Sequence, residues 1–203
     1  MTTSDSITVQ DAVDWLYDIA VIQGKATSPA RLRKLAAYCR QELQARGLTE
    51  AESEVAIPGG GRPKEWDVAW KHQGKCRLAI SLKSILKNLA GTVPNRVDDL
   101  IGETANVQMY SPEIVVGYLM VFDIGKDTVG DKHGVTWCDL LQQRLSNLSG
   151  RRAPSWSVGT IESFAIVRVN FSSGARLLTD AATLGVLFDE LVAEVKKRNP
   201  SIA

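Results

Sequence analysis

The chain has 203 residues, 44% apolar and 23% charged, with a formal net charge of +1. That is enough for one domain with its own core, and the near-zero balance leaves no global basic signature of nucleic-acid binding. No apolar run reaches the length of a membrane span, and MTTSDSITVQ lacks a basic-then-apolar targeting pattern, so the expected location is the cytoplasm. Cys39, Cys76 and Cys138 are odd in number and widely spaced, which predicts buried thiols rather than a disulfide frame. With only His72 and His133 present, a His-rich zinc site is disfavoured.

Thr8 and Asp11 form a capping pattern ahead of Ala12, Trp15, Leu16, Ile19 and Ala20 at helical spacing, and Gly24 closes that helix. Ser28-Pro29 opens a second, with Leu32, Leu35, Ala36, Cys39 and Leu43 as its stripe, a solvent-facing Glu42, and Gly47 as its cap. Glu52 to Ile57 alternates as a first strand. Gly59-Gly60-Gly61 lacks the Lys-Ser/Thr ending of a phosphate-cradling loop and reads as a flexible connection, with Arg62 and Lys64 just beyond it. In the next strand, alternation puts Glu65, Asp67 and Ala69 on one face and Trp66, Val68 and Trp70 on the other. A polar turn, His72-Gln73-Gly74-Lys75, leads into an apolar run ending in Ser81-Leu82-Lys83, where Ser81 and Lys83 share a face.

Ser84 to Pro94 reads as a loop. Asn95 then caps a helix to about Tyr110, with the stripe Val97, Leu100, Ile101, Thr104 and Val107, and with Arg96 and Glu103 on its border. Ile114 to Phe122 is a central strand, and Asp123 to Gly134 a polar loop. Val135 to Leu148 is a helix burying Trp137, Leu140, Leu141, Leu145 and Leu148. A loop carrying Arg151 and Arg152 precedes a strand over Glu162 to Phe171. Thr179-Asp180 starts a last helix whose Leu184, Val186, Leu187, Leu191 and Val195 face inward. This order predicts an α/β fold with a mixed central sheet flanked by helices, as a single domain: N-terminal helices (1–50), a core (51–170) and a C-terminal helix (171–203).

Charge is unevenly placed. Between Pro58 and Arg96, Arg62, Lys64, Lys71, Lys75, Arg77, Lys83, Lys87 and Arg96 face only Glu65 and Asp67; from Val97 to Asp139 carboxylates dominate. The basic segment suits a phosphate backbone; lysines guarding strand edges are the other reading, and both stay open.

Asp67 on one strand and Ser81-Leu82-Lys83 ending the next resemble the PD-(D/E)XK nuclease superfamily, which includes many restriction endonucleases. The family pattern is an acid on the first strand and an acid-X-Lys triplet on the second. Asp67 matches the first acid and Lys83 the lysine, while Ser81 departs from the pattern at the second acid. The order of elements from about Ala30 to Val169 also looks like the family core. The resemblance implies a restriction-endonuclease-like core and hydrolysis of double-stranded DNA with Mg2+, or Mn2+ as substitute. A type II restriction enzyme working as a homodimer on a palindromic target fits this picture. Its metal ligands would be Asp67 and the Leu82 carbonyl, and Lys83 would orient water or stabilise the phosphoryl charge.

A neutral hydroxyl at Ser81 contributes little to a hard dication. Some restriction enzymes with serine there recruit a glutamate from the following helix, which makes Glu103 the first candidate. Glu65 is the rival. A third reading replaces the acid with nothing and leaves a non-catalytic DNA-binding or interaction subunit. Arg62, Lys64, Lys87, Asn95, Arg96, Arg151 and Arg152 are the candidate contacts to the DNA backbone. A small-molecule phosphohydrolase is disfavoured by the lack of clustered histidines and of a phosphate loop.

Overall fold

The computed structural model describes residues 6–202; the first five, part of the stretch read for a targeting pattern, lie outside them. Six strands lie side by side in sequence order: β1 (Glu52–Ile57), β2 (Lys64–His72), β3 (Lys75–Ile85), β4 (Val115–Asp123), β5 (Ser163–Asn170) and β6 (Arg176–Leu177). The first three form an antiparallel meander, β3, β4 and β5 are parallel, and β6 returns antiparallel to β5. The links explain the directions. Gln73 and Gly74, both with positive φ, close the β2–β3 hairpin in two residues, as a primed turn requires. The parallel pairs are reached through helices.

Helices α1 (Val9–Tyr17), α2 (Arg33–Ala45) and α5 (Ala181–Arg198) cover one face of the sheet; α3 (Leu89–Tyr110) and α4 (Trp137–Leu148) cover the other. Two cores result. Leu16, Leu35, Cys39, Phe188 and Leu191 pack on Leu78, Ile80 and Leu82 of β3. Val97, Leu100, Val107 and Leu141 pack on Ala79 and Ile85 of β3 and on Tyr118, Met120 and Phe122 of β4. By the same alternation Ser81 and Lys83 belong to the α3 face. β4 is buried at every residue, as its unbroken apolar run requires. The three thiols are unpaired; Cys39 and Cys138 are buried and Cys76 half-buried. Among the described residues no helix is long and apolar enough to cross a membrane.

Several local expectations change. The Thr8–Asp11 capping box is present, but α1 runs on through a π-helical turn, Asp18–Ile22, before Gly24. The second helix opens with a 3-10 turn, Pro29–Leu32. β3 extends to Ile85 and α3 starts at Leu89, so the predicted loop nearly vanishes and Asn95 is no cap. Pro94 sits in the second turn of α3, where a proline normally marks a boundary. Ile101 and Val186 are exposed, because the buried rows of their helices run through Val97, Leu100 and Thr104 and through Leu184, Leu187 and Leu191. β6 is two residues long and has no pattern to detect.

The triple glycine is pinned rather than flexible. The Gly60 amide donates to the Asn106 carbonyl (2.7 Å), the Gly61 amide donates to Asn106 Oδ1 (2.9 Å), and Asn106 Nδ2 donates to the Arg62 carbonyl (2.9 Å). A Cβ on Gly59 would collide with the Asn106 side chain and lie 2.5 Å from the Arg62 carbonyl, so glycine is required by close approach to α3. This docks the far end of the β1–β2 hairpin on α3 and sets Lys64 against that helix.

Arg151 is the clearest departure among the predicted DNA contacts. It is buried, with Glu162 Oε1 at 3.0 Å and the Pro112, Ser157 and Ile114 carbonyls as further acceptors. Glu162 also accepts from Arg198 (2.7 Å) and from the Val116 amide (2.6 Å). Trp156 lies against both guanidiniums. The cluster ties the start of β4 to the end of α5 and keeps the Arg151 guanidinium buried, with every nitrogen already donating within the protein. Glu162→Ala strands two guanidiniums and should destabilise the protein by about 3–5 kcal/mol in urea unfolding. Arg152→Ala, at an exposed neighbour, should change stability by less than ~0.5 kcal/mol.

Candidate active site

β2 and β3 pair from His72↔Lys75 to Val68↔Ile80 and no further. Continued pairing would set Leu82 opposite Trp66. Instead the Leu82 amide donates to Asp67 Oδ2 at 2.8 Å, so a side-chain carboxylate replaces the missing strand carbonyl. The amide and carbonyl of one strand residue project to the same side, so the Leu82 carbonyl also faces this fork, where no β2 amide is registered against it.

On β1, Glu54 lies between the registered pairs Ser53↔Val68 and Val55↔Trp66 and has φ of 57°, which marks the bend. One consequence corrects the alternation read from sequence. Val68 and Trp70 enter the α1–α2–α5 core, whereas Trp66 enters the α3–α4 core, because β2 turns toward α3 once it is free of β3.

Ser81, Lys83 and Glu103 meet on the α3 face. Lys64 pairs with Glu103 Oε1; Lys83 Nζ lies 3.6 Å from Oε2, and Ser81 Oγ donates to the same oxygen at 3.4 Å. The Glu103 and Lys83 side chains are 15% and 19% exposed, so this charge is enclosed but reachable. Asp67 is half-buried. Burial pushes its carboxyl pKa up, the Leu82 amide and the charges of Lys83 and Lys64 oppose that, and Glu103 adds to it.

Of the two rival acids the structure brings Glu103 to the cluster, while Glu65 is exposed and its side chain makes no hydrogen bond or ion pair among the described residues. Glu42 is engaged by Arg46 at 2.7 Å. Arg62, Lys87 and Asn95 are exposed, and Arg96 pairs with Asp99 at 2.8 Å. Arg152 lies with Arg151 in a groove of about 1,020 Å³ between α4 and α5, which includes none of Asp67, Ser81, Lys83 or Glu103.

Two residues at the site escaped the sequence reading. Arg31, in the turn before α2, donates from Nε to Ser84 Oγ (3.2 Å) and from Nη1 to the Ser28 carbonyl (2.7 Å). Burial lowers its pKa and the nearby Arg96 charge lowers it further, while Asp67 opposes both. Tyr118 stands beside Ser81 in the β3–β4 register, fully buried, with no hydrogen-bond partner for its hydroxyl among the described residues. Burial drives its pKa up. A lone phenol in the apolar run of β4 was a signal; Arg31 gave none.

The donors present fit a hard dication. Asp67 Oδ1 accepts no hydrogen bond from the described residues, Glu103 Oε2 is held only at 3.4 and 3.6 Å, and the Leu82 carbonyl faces the same fork. The described residues contain no group of three or more His, Cys, Asp or Glu placed to hold a metal. Two carboxylates, a carbonyl and water are a magnesium-type set. No family model matches the chain, and no curated protein or solved structure matches it either.

The Asp67 shift has a definite sign. A folded pKa above the unfolded one means that the folded state holds more protons between the two values, so stability falls as pH rises through that window and stays lower above it. Asp67→Asn keeps an oxygen for the Leu82 amide and removes the charge. In metal-free buffer it should melt above the wild type at pH 7, with the gap closing below pH of about 4.

Proposed function

We propose that the chain is a metal-dependent endonuclease hydrolysing phosphodiester bonds of double-stranded DNA. The observation that carries this is the meeting of Lys83 and Glu103, from different elements, beside a carboxylate anchored on the backbone of Leu82. Glu103 takes the place that Ser81 leaves without a charge. Asp67, Glu103 and the Leu82 carbonyl would hold Mg2+ or Mn2+, which when bound supplies a Lewis acid and a water of lowered pKa.

Lys83 faces the same space and offers an ammonium to the phosphoryl oxygens or to the attacking water. Lys64 and Ser81 orient Glu103. Arg62, Lys87 and Arg96 supply positive charge for the strands, which sets position rather than sequence. Cutting both strands calls for a homodimer, and a cytoplasmic type II restriction role follows the family resemblance.

A specific observation favours a second reading. Glu103 already has two lysine partners, so its charge is balanced without a metal. On that reading the chain is a nuclease-like scaffold that binds DNA or a defence or repair partner without cutting.

Incubation with mixed-sequence duplex DNA in Mg2+ or Mn2+ separates the two. The wild type should give discrete fragments, and Asp67→Ala, Lys83→Ala and Glu103→Ala should each slow cleavage by roughly 100-fold or more. Glu65→Ala should cut normally. Retained DNA binding with no cleavage in either metal would sink the enzymatic reading and leave the scaffold.

A further inference from the structure

Glu103 is held by two ammoniums of unequal standing. Lys83 and Ser81 both address Oε2, at 3.6 and 3.4 Å, from β3, an inner strand of the sheet. Lys64 addresses Oε1 from the first residue of β2, and Glu103 is the one partner of its side chain among the described residues. The Lys64 side chain is 28% exposed against 19% for Lys83, and it follows directly on the exposed link between β1 and β2. Of the two ammoniums, Lys64 is the one with a short path to solvent.

Several hydrogen bonds bring it to Glu103. Asn106 lies three residues after Glu103, on the same side of α3. Its carbonyl accepts from the Gly60 amide, its Oδ1 accepts from the Gly61 and Arg62 amides, and its Nδ2 donates to the Arg62 carbonyl, two residues before Lys64. One side chain thus fixes the end of the hairpin relative to the glutamate one turn away. Fold stability does not account for this arrangement. An ion pair so near solvent adds little, and the same carboxylate already has a lysine on its other oxygen.

The charges decide what a second lysine does there. Lys64 and Lys83 already match the two carboxylates, Asp67 and Glu103. A dication on Oε2 would share one negative charge with an ammonium on Oε1, and the two cations repel each other across that single carboxylate. The more exposed ammonium is the one that gives way.

We infer that Lys64 is a built-in competitor of the metal: its ammonium and a divalent cation oppose each other at Glu103, and the Asn106 clamp sets how strongly the ammonium competes. This rests on the nuclease reading in so far as that reading makes Glu103 a metal ligand. Lys64 is a positioning residue in this assignment, because it acts on the chemistry only through Glu103. Metal loading then depends on displacing the lysine, and by linkage a phosphate that draws Lys64 away favours the metal.

The test is Mn2+ binding to the full chain without DNA, followed by calorimetry and by the rise in melting temperature. Lys64→Met keeps the aliphatic stem, removes the charge, and should bind Mn2+ roughly tenfold more tightly than the wild type. Lys64→Arg should show no such gain, and Asn106→Ala should fall between the wild type and Lys64→Met. Lys75→Met, at an exposed position beside the β2–β3 turn, should match the wild type. Circular dichroism verifies folding. A role confined to orienting Glu103 predicts the opposite sign, because a carboxylate left loose binds metal less well.

Mn2+ bound equally or less tightly by Lys64→Met, with binding lost in Glu103→Ala, overturns the competition and leaves the nuclease reading intact. Tighter binding in Lys64→Met, with no cleavage of duplex DNA by the wild type, upholds the competition and removes the nuclease reading. Mn2+ ignored by both the wild type and Lys64→Met removes both.

Discussion

The point on which this architecture turns is the end of the β2–β3 ladder. Backbone amides in a sheet must find acceptors, and at Leu82 the next strand has already turned away. Asp67 resolves the shortage with its side chain. The same bond fixes the carboxylate where the charges of Lys83 and Glu103 act on it, so one hydrogen bond both ends a strand pairing and anchors the candidate site. The bend needs support on the other side, and β1 supplies it through the left-handed Glu54 and the glycine connection docked on Asn106.

Charge at the fork is arranged against the preference of each group. Asp67 is partly desolvated near a second carboxylate, and Arg31 is partly desolvated near a second guanidinium. Either arrangement alone weakens the fold, and a purely structural cluster would pair them off, as Glu162 does with Arg151 and Arg198. There, opposite charges are enclosed, every strong acceptor is used, and the result is a tie between β4 and α5. Among the described residues, Asp67 Oδ1 and Arg96 Nε instead have no hydrogen-bond partner.

Arg151 and Arg31 also show why loop charge is a poor guide to where a guanidinium ends up. Arg151 follows a glycine and precedes a second arginine and a cis-proline loop, which reads as a solvent-facing basic patch, yet its aliphatic stem and guanidinium are enclosed by Trp156 and Glu162. Arg31 lies in a stretch with no distinguishing pattern and ends at the site, because the helix layer that carries it packs over the free end of β3. Side chains of this length can reach either core or solvent, and the choice belongs to the surroundings.

Sequence alone determined the order of the elements apart from β6, the mixed direction of the sheet and the shared face of Ser81 and Lys83. These follow from periods of two and 3.6 residues and from link lengths, all of which are local. It left the replacement for the missing acid open between Glu103, Glu65 and none. Tertiary packing brought one of those carboxylates to the lysine: Glu103 meets Lys83 because α3 crosses that face of the sheet, and the angle of a helix over a sheet depends on contacts between residues far apart in the chain. The break in the β2 alternation, the start of α3 ahead of Pro94, the burial of Arg151 and the arrival of Arg31 share that cause. A hydrophobic pattern says which side of an element is covered; what covers it, and where a strand leaves its neighbour, is decided only when the layers come together.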